Sequence, residues 1–116
     1  MVKKLYIPDR GDVVWLSFSP QSGHEQAGLR PALVVSPKEY SKISGLSLVC
    51  PITSKRKGYV FELPFTSRAE IGGVILVDQM RSVDFVSRKV RFTGKVDAST
   101  LKTVQAYLVS LLTEAI

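Results

Sequence analysis

Two stretches of this chain carry side chains that can do chemistry. The first, residues 20–31, reads Pro-Gln-Ser-Gly-His-Glu-Gln-Ala-Gly-Leu-Arg-Pro, and it sets an imidazole (His24), a carboxylate (Glu25) and a permanent cation (Arg30) on one polar segment. Proton transfer and stabilisation of a growing negative charge need groups of these kinds. The segment is also long for a connection between strands, and connections of that length are usually functional or disordered. A polar loop of ordinary composition accounts for the same residues. The second stretch, residues 53–59, reads Thr-Ser-Lys-Arg-Lys-Gly-Tyr, with hydroxyls just before a run of cations and an aromatic just after it. Cations that track phosphates beside a ring that stacks a base suit single-stranded nucleic acid. The competing reading is a solvated hairpin tip with Tyr59 in the core.

The frame that must position these groups is small. The chain has 116 residues, and 16 Lys and Arg against 10 Asp and Glu give a net charge of +6 at pH 7. That length corresponds to one domain, residues 1–116, and excludes a doubly wound cofactor enzyme or a TIM barrel. Hydrophobic residues at 45% and charged residues at 22% lie near globular averages, so a disordered or fibrous chain is excluded as well. A cationic excess in so small a domain favours a polyanionic partner, a nucleic acid or an acidic peptide, over an acidic small substrate, with a mildly basic surface and no partner as the competing reading. Pro8, Asp9 and Arg10 interrupt any apolar stretch near the N-terminus, so no export signal is read. The longest apolar run, residues 74–77, is far short of the roughly 18 residues of a membrane span. The expectation is a soluble, cytoplasmic protein with no membrane association. Cys50 is the single cysteine and His24 the single histidine, so neither an intramolecular disulfide nor a zinc cluster can be built. No metal site and no cofactor is expected.

Short apolar runs separated by turn residues read as strands. Val14, Leu16 and Phe18 alternate with Val13, Trp15 and Ser17 between Gly11 and Pro20, a period of two in β-favouring residues. Further strands are expected at residues 32–36, 46–53, 59–65, 74–79 and 83–96, the last broken near Ser87. Within it Lys89, Arg91, Thr93 and Lys95 fall on one face and Val90, Phe92, Gly94 and Val96 on the other. Leu101, Val104, Leu108, Leu111 and Leu112 then recur at helical spacing, with Asp97 placed to cap by accepting from the amide of Ser99 or Thr100. The fold class expected is mainly β: a small SH3-like, partly open barrel with short helices and a C-terminal amphipathic helix packed by its apolar stripe onto the sheet.

In order along the chain, Gly11-Asp12-Val-Val-Trp15, Phe18-x-Pro20, Gly23-His-Glu-Gln-Ala-Gly28, Arg30-Pro31-Ala32, Ser36-Pro37, Pro51-x-Thr53-Ser54, Lys57-Gly58-Tyr59 and Asp78-Gln79-x-Arg81-Ser82 closely resemble the MazF/PemK family of toxin endoribonucleases. The resemblance runs from about Tyr6 to Asp84 and continues more loosely into the final helix. It implies an SH3-like barrel, a homodimer, and a toxin paired with a cognate acidic antitoxin that blocks its RNA site. It also implies metal-independent cleavage of single-stranded RNA, messenger RNA included, in which the ribose 2′-hydroxyl attacks the neighbouring phosphorus and the 5′-oxygen leaves. Under that resemblance Glu25, Arg30 and Thr53 are the catalytic residues. Glu25 is the candidate base. Arg30 forks two N–H groups onto the phosphate, and the Thr53 hydroxyl donates to the same oxygens. RNA contacts fall to His24, Gln26, Ser54, Lys55, Arg56, Lys57, Tyr59, Gln79 and Arg81.

Departures from the family pattern restrict what carries over. The Kid-like branch has an arginine where this chain has Leu76, so the base role of the following aspartate is not transferred to Asp78. Leu29 stands where some relatives have a histidine, which removes one base contact and leaves the recognised RNA word open. Cys50, between Val49 and Pro51, reads as a buried small hydrophobe, and Trp15 as core or dimer interface. Two rival classes remain. A gyrase poison of the CcdB type shares the barrel but needs a C-terminal tryptophan pair, whereas this chain ends Thr113-Glu-Ala-Ile116. A non-catalytic RNA-binding barrel explains the charge but not Glu25 and Arg30 beside Thr53.

Overall fold

Alternation along the strands sends successive side chains to opposite faces of a sheet, and here both faces are buried. The computed structural model describes residues 5–18, 28–66 and 72–114. In chain order these form strands β1 (Asp12–Ser17) and β2 (Leu29–Val34), helix α1 (Lys38–Ser44), and strands β3 (Leu46–Thr53), β4 (Glu62–Thr66) and β5 (Gly72–Leu76). A 3-10 turn (Val77–Gln79), strands β6 (Arg81–Asp84) and β7 (Arg91–Lys95), and helix α2 (Ala98–Thr113) complete the order. The strands make one antiparallel sheet in the order β4-β5-β3-β2-β1-β7, with β6 paired to β3 off that path. Val13, Leu33, Cys50, Ile52 and Ile75 point to one side and pack with Val104 of α2 and the half-buried Tyr107, Leu108 and Leu111. Val14, Leu16, Ala32, Val34 and Val49 point to the other and pack with Phe18, Val83, Tyr6 and Val90.

The second core is enclosed because the sheet curls. From β6 to β7 the sheet crosses β3, β2 and β1, four interstrand steps that would span about 19 Å if flat. Yet residues 85–90 join the two as a compact turn. Its amides fold back from Arg88 to the Asp84 carbonyl, from Lys89 to Val86 and from Val90 to Phe85, and the Asp84 carboxylate accepts from the amides of Val86 and Ser87 at 3.1 and 3.0 Å. Only a strongly curved sheet brings its two ends within reach of so short a connection. The described residues thus form the expected mainly β, partly open barrel, and the sheet does not close.

Several local expectations need correction. Helix α1, with its seven residues, is too short to leave a 3.6-residue period; it ends at Gly45, whose φ of 75° only glycine adopts freely. The strand expected at 74–79 stops at Leu76. Ile52 of β3 pairs with Ile75, whereas Val49 pairs with Arg81. The partner therefore spends three extra residues there, and they coil into the 3-10 turn. The expected strand 83–96 is two strands, divided close to the anticipated break. Its inward and outward faces do not alternate as expected, because Val13 pairs with Gly94 and Val14 with Phe92, leaving Thr93 as a bulge. Phe92 is consequently exposed and meets the Tyr6 ring in a tilted arrangement, with centroids 5.9 Å apart. Asp97 caps α2 as anticipated, accepting from the Thr100 amide at 3.3 Å. Leu112, counted in the apolar stripe, is 79% exposed.

Candidate active site

Arg30 is not on a loop. It lies on β2 opposite Leu16 of β1, because the polar segment ends earlier than its composition suggests and Pro31, which lacks an N–H, sits within the strand beside Trp15. β2 also pairs with β3, Val34 with Val49 and Ala32 with Pro51; the same register carried two residues further sets Arg30 level with Thr53. Parity puts both side chains on the face of the second core, with Ala32, Val34 and Val49. The two residues join, at one end of the curled sheet, a permanent cation and a hydroxyl. Thr53 is buried, and its Oγ1 accepts from the Lys55 amide at 3.2 Å, an arrangement that fixes the oxygen and leaves the O–H as donor.

A residue not anticipated from the sequence supports Thr53 from the other side. Thr53 pairs with Val74, and the residue before it, Gly73, has φ 122° with a Cβ position that would collide with the Thr53 carbonyl. No side chain is compatible with that approach. The signal in the sequence is the Gly72-Gly73 pair directly before an apolar run.

Beyond Thr53, the side chains of Ser54, Lys55, Arg56 and Lys57 are all exposed, so the cations stand in water where a polyanion can reach them. Their main chain is held by Glu62, which is buried at the start of β4. Its carboxylate accepts from the Lys57 amide at 3.1 Å through both oxygens and from the Gly58 amide at 2.8 Å. Tyr59 is not a core residue: it is 45% exposed, its ring meets Phe61 edge-on at 6.5 Å, and its O–H donates to Asp78 Oδ2 at 2.8 Å. That hydrogen bond, and the Asp78 charge, hold the phenol pKa above its ordinary value. Gln79 follows on the 3-10 turn, half-buried. Arg81, opening β6, lays its guanidinium over the Phe18 ring at 5.7 Å from the centroid. The Phe18 amide in turn donates to the Gly28 carbonyl at 2.9 Å, so this cation lies by the root of the polar segment. His24, Glu25 and Gln26 lie outside the described residues.

The structure therefore places Arg30 and Thr53 two residues beyond the Ala32–Pro51 pair on adjacent strands, joins Thr53 to the cationic loop through the chain, and joins that loop to the turn bearing Gln79 through Tyr59 and Asp78. Sequence reasoning missed Glu62, Gly73 and Phe18 as supports of the site. Cys50 is buried with its thiol 3.8 Å from the Val77 carbonyl, and burial, with the Asp78 charge adding to it, pushes its pKa up to about 12. It is a packing residue, not a nucleophile.

Comparison with known proteins shows the family to which this fold belongs. Residues 9–112 match the model of the PemK-like, MazF-like toxin of type II toxin-antitoxin systems, and the chain belongs to that family. Among curated proteins it is 41% identical over 101 residues to the endoribonuclease toxin MazF of Escherichia coli K12, covering 87% of this chain and 90% of the relative. Among solved structures it matches the crystal structure of MazF from Deinococcus radiodurans with a TM-score of 0.87 at 47% identity, covering 92% of this chain and 97% of that one. A MazE-MazF complex from the same organism matches with a TM-score of 0.83 at 43% identity, covering 95% and 100%. No helix among the described residues is long and apolar enough to cross a membrane.

Proposed function

We propose that this chain is a metal-independent endoribonuclease toxin that cuts single-stranded RNA at a short recognised word and is silenced by an acidic, MazE-like antitoxin. The observation that supports the reading is the β2–β3 register, Ala32 with Pro51 and Val34 with Val49, which when continued brings Arg30 toward Thr53 on one sheet face, next to an exposed run of three cations. In the reaction the ribose 2′-oxygen forms a bond to the adjacent phosphorus and the bond from phosphorus to the 5′-oxygen breaks. The 2′-hydroxyl proton passes to a base, for which Glu25 is the candidate, and the leaving 5′-oxygen takes a proton. The ends are a 2′,3′-cyclic phosphate and a 5′-hydroxyl. Charge grows on the non-bridging oxygens as phosphorus becomes five-coordinate. A guanidinium and a hydroxyl held there in advance stabilise that charge without reorganising at the moment of reaction. Lys55, Arg56 and Lys57 attract the backbone on either side, with Ser54, Tyr59, Gln79, Arg81, His24 and Gln26 as further contacts. A homodimer in the cytoplasm is part of the same reading and rests on the family.

The test is incubation of the purified protein with a long single-stranded RNA in EDTA, beside an oligonucleotide carrying one deoxyribose immediately 5′ to the cut bond. Discrete cleavage of the RNA, with the deoxy substrate bound and intact, supports the reading. Cleavage of both at one rate means water rather than the 2′-hydroxyl attacks. A shift without cleavage supports a binding barrel, and neither shift nor cleavage a poison of a protein target.

A further inference from the structure

The cationic loop contains three adjacent positive side chains, which repel one another and gain little from their own packing, since all three are exposed. Such a segment has no reason of its own to keep one shape. It is nonetheless fastened at three points. Thr53 Oγ1 accepts from the Lys55 amide at its start. The Glu62 carboxylate accepts from the Lys57 and Gly58 amides in its middle. Tyr59 donates to Asp78 at its end. The middle fastening is the one the fold pays heavily to keep, because Glu62 is only 8% exposed and a buried carboxylate is costly unless hydrogen-bonded. Its three contacts all come from main-chain N–H groups of this loop, so what it gains by being there is the loop's shape. The register explains how it stays put: Glu62 pairs with Leu76, the residue just before the turn that bears Asp78, so both later fastenings hang from one rung of the β4–β5 ladder.

We propose that Glu62, backed by the Tyr59–Asp78 contact, is a positioning residue that fixes Lys55, Arg56 and Lys57 relative to Thr53 and thereby sets the selectivity for the RNA word. This rests on the RNA-cleaving function proposed above. Cations at fixed positions hold the RNA backbone in one register, and that register decides which base meets which side chain; cations on a slack loop still attract RNA but accept many registers. Selectivity and affinity therefore come apart when the fastening is lost.

The experiment compares the parent with Glu62→Gln and Asp78→Ala, each checked for folding by its melting curve. Glu62→Gln keeps the volume and one acceptor but turns an NH2 toward an amide donor. Losing a hydrogen bond to a charged acceptor speeds exchange of the Lys57 and Gly58 amides about tenfold, read by hydrogen-deuterium exchange. The ratio of cleavage rates for the preferred word over its single-base variants falls by about the same factor in both variants, while the salt slope of binding to an uncleavable deoxy-substituted oligonucleotide is unchanged because the cations are all present. A general loss of stability can speed amide exchange but leaves the selectivity ratio and the salt slope of folded protein unmoved. Folded variants with the parent's selectivity ratio and exchange rates overturn the positioning role alone. A parent that cuts no RNA overturns the proposed function and this role with it.

Discussion

Replacing Gly73 by alanine tests how the sheet holds Thr53. Two separate costs arise. Alanine at φ 122° is strained by about 1–3 kcal/mol, and its Cβ meets the Thr53 carbonyl, which is backbone and cannot rotate aside. The clash is relieved only if β5 moves away from β3, and the two strands share just the pairs Ile52–Ile75 and Thr53–Val74. Loosening those ladder bonds costs about 1 kcal/mol each, for a total of about 3–5 kcal/mol. A typical small domain has about 5–15 kcal/mol to lose, so the variant stays mostly folded at 25 °C while its melting temperature falls by roughly 12–20 °C. Because the movement starts at Thr53, cleavage falls more than stability predicts, by about 100-fold for a displacement near 1 Å. Gly45→Ala is the control. It too has positive φ, but no atom lies within 4 Å of the added Cβ, so it loses about 1 kcal/mol and keeps its cleavage rate. Differential scanning calorimetry and a cleavage time course on both variants decide the matter. A Gly73→Ala protein that melts like Gly45→Ala and cuts at the parent rate refutes the close approach as the support for Thr53.

Arg30→Ala removes a charged donor from the phosphoryl oxygens and lowers the cleavage rate about 100- to 1,000-fold; Arg30→Lys recovers part of it and Thr53→Ala loses less, all read on melted and refolded protein of parental stability. RNA affinity falls by about 0.7 log units per log unit of salt for each phosphate neutralised, and an acidic antitoxin peptide competes with RNA for the same surface in a fluorescence anisotropy titration. The hydrogen bonds to Asp97 from the Ser99 and Thr100 side chains lower its pKa from the ordinary 3.8 to about 2. Its contribution to stability is therefore complete above the unfolded value and lost as pH falls through the folded one, so the melting difference between the parent and Asp97→Ala narrows from pH 5 to pH 2 in acid melts.

What could be read from the residues followed from how local the controlling interaction is. β3 was legible end to end because every second side chain from Leu48 to Ile52 enters one core and Val49 enters the other, so the run is apolar throughout and bounded by Gly45 and the cationic loop. The α2 cap was legible because it depends on Asp97 and Thr100, three residues apart. The start of β2 was not, since Leu29-Arg30-Pro31 has a loop's composition and becomes strand only by pairing with Ser17, Leu16 and Trp15. Arg30 and Thr53 were singled out by their motifs, but nothing in either motif shows that they lie on adjacent strands with side chains of one parity. That follows from the register of two strands set by side chains several residues away. Glu62 escaped notice for a similar reason: a glutamate opening an apolar strand reads as a solvated edge until its amide partners are seen.

The pairing of the first strand with the last has a consequence for the order in which the molecule can form. Asp12 meets Lys95 across the sheet, joined by a 2.6 Å ion pair, and the Thr93 hydroxyl donates to the Val13 carbonyl. β2 and β3, which carry Arg30 and Thr53, pair at much shorter separation and can meet while synthesis is under way, at about 5–20 residues per second. β1 must wait with its outer edge bare until residues 91–95 have left the ribosome, and closing so long a loop is the slow, entropically costly step. β2 and β3 are thus assembled early on a sheet that remains open. A chain cut short before β7 has the residues of the candidate site but no curled sheet to hold them, which ties the onset of activity to the emergence of β7 from the ribosome.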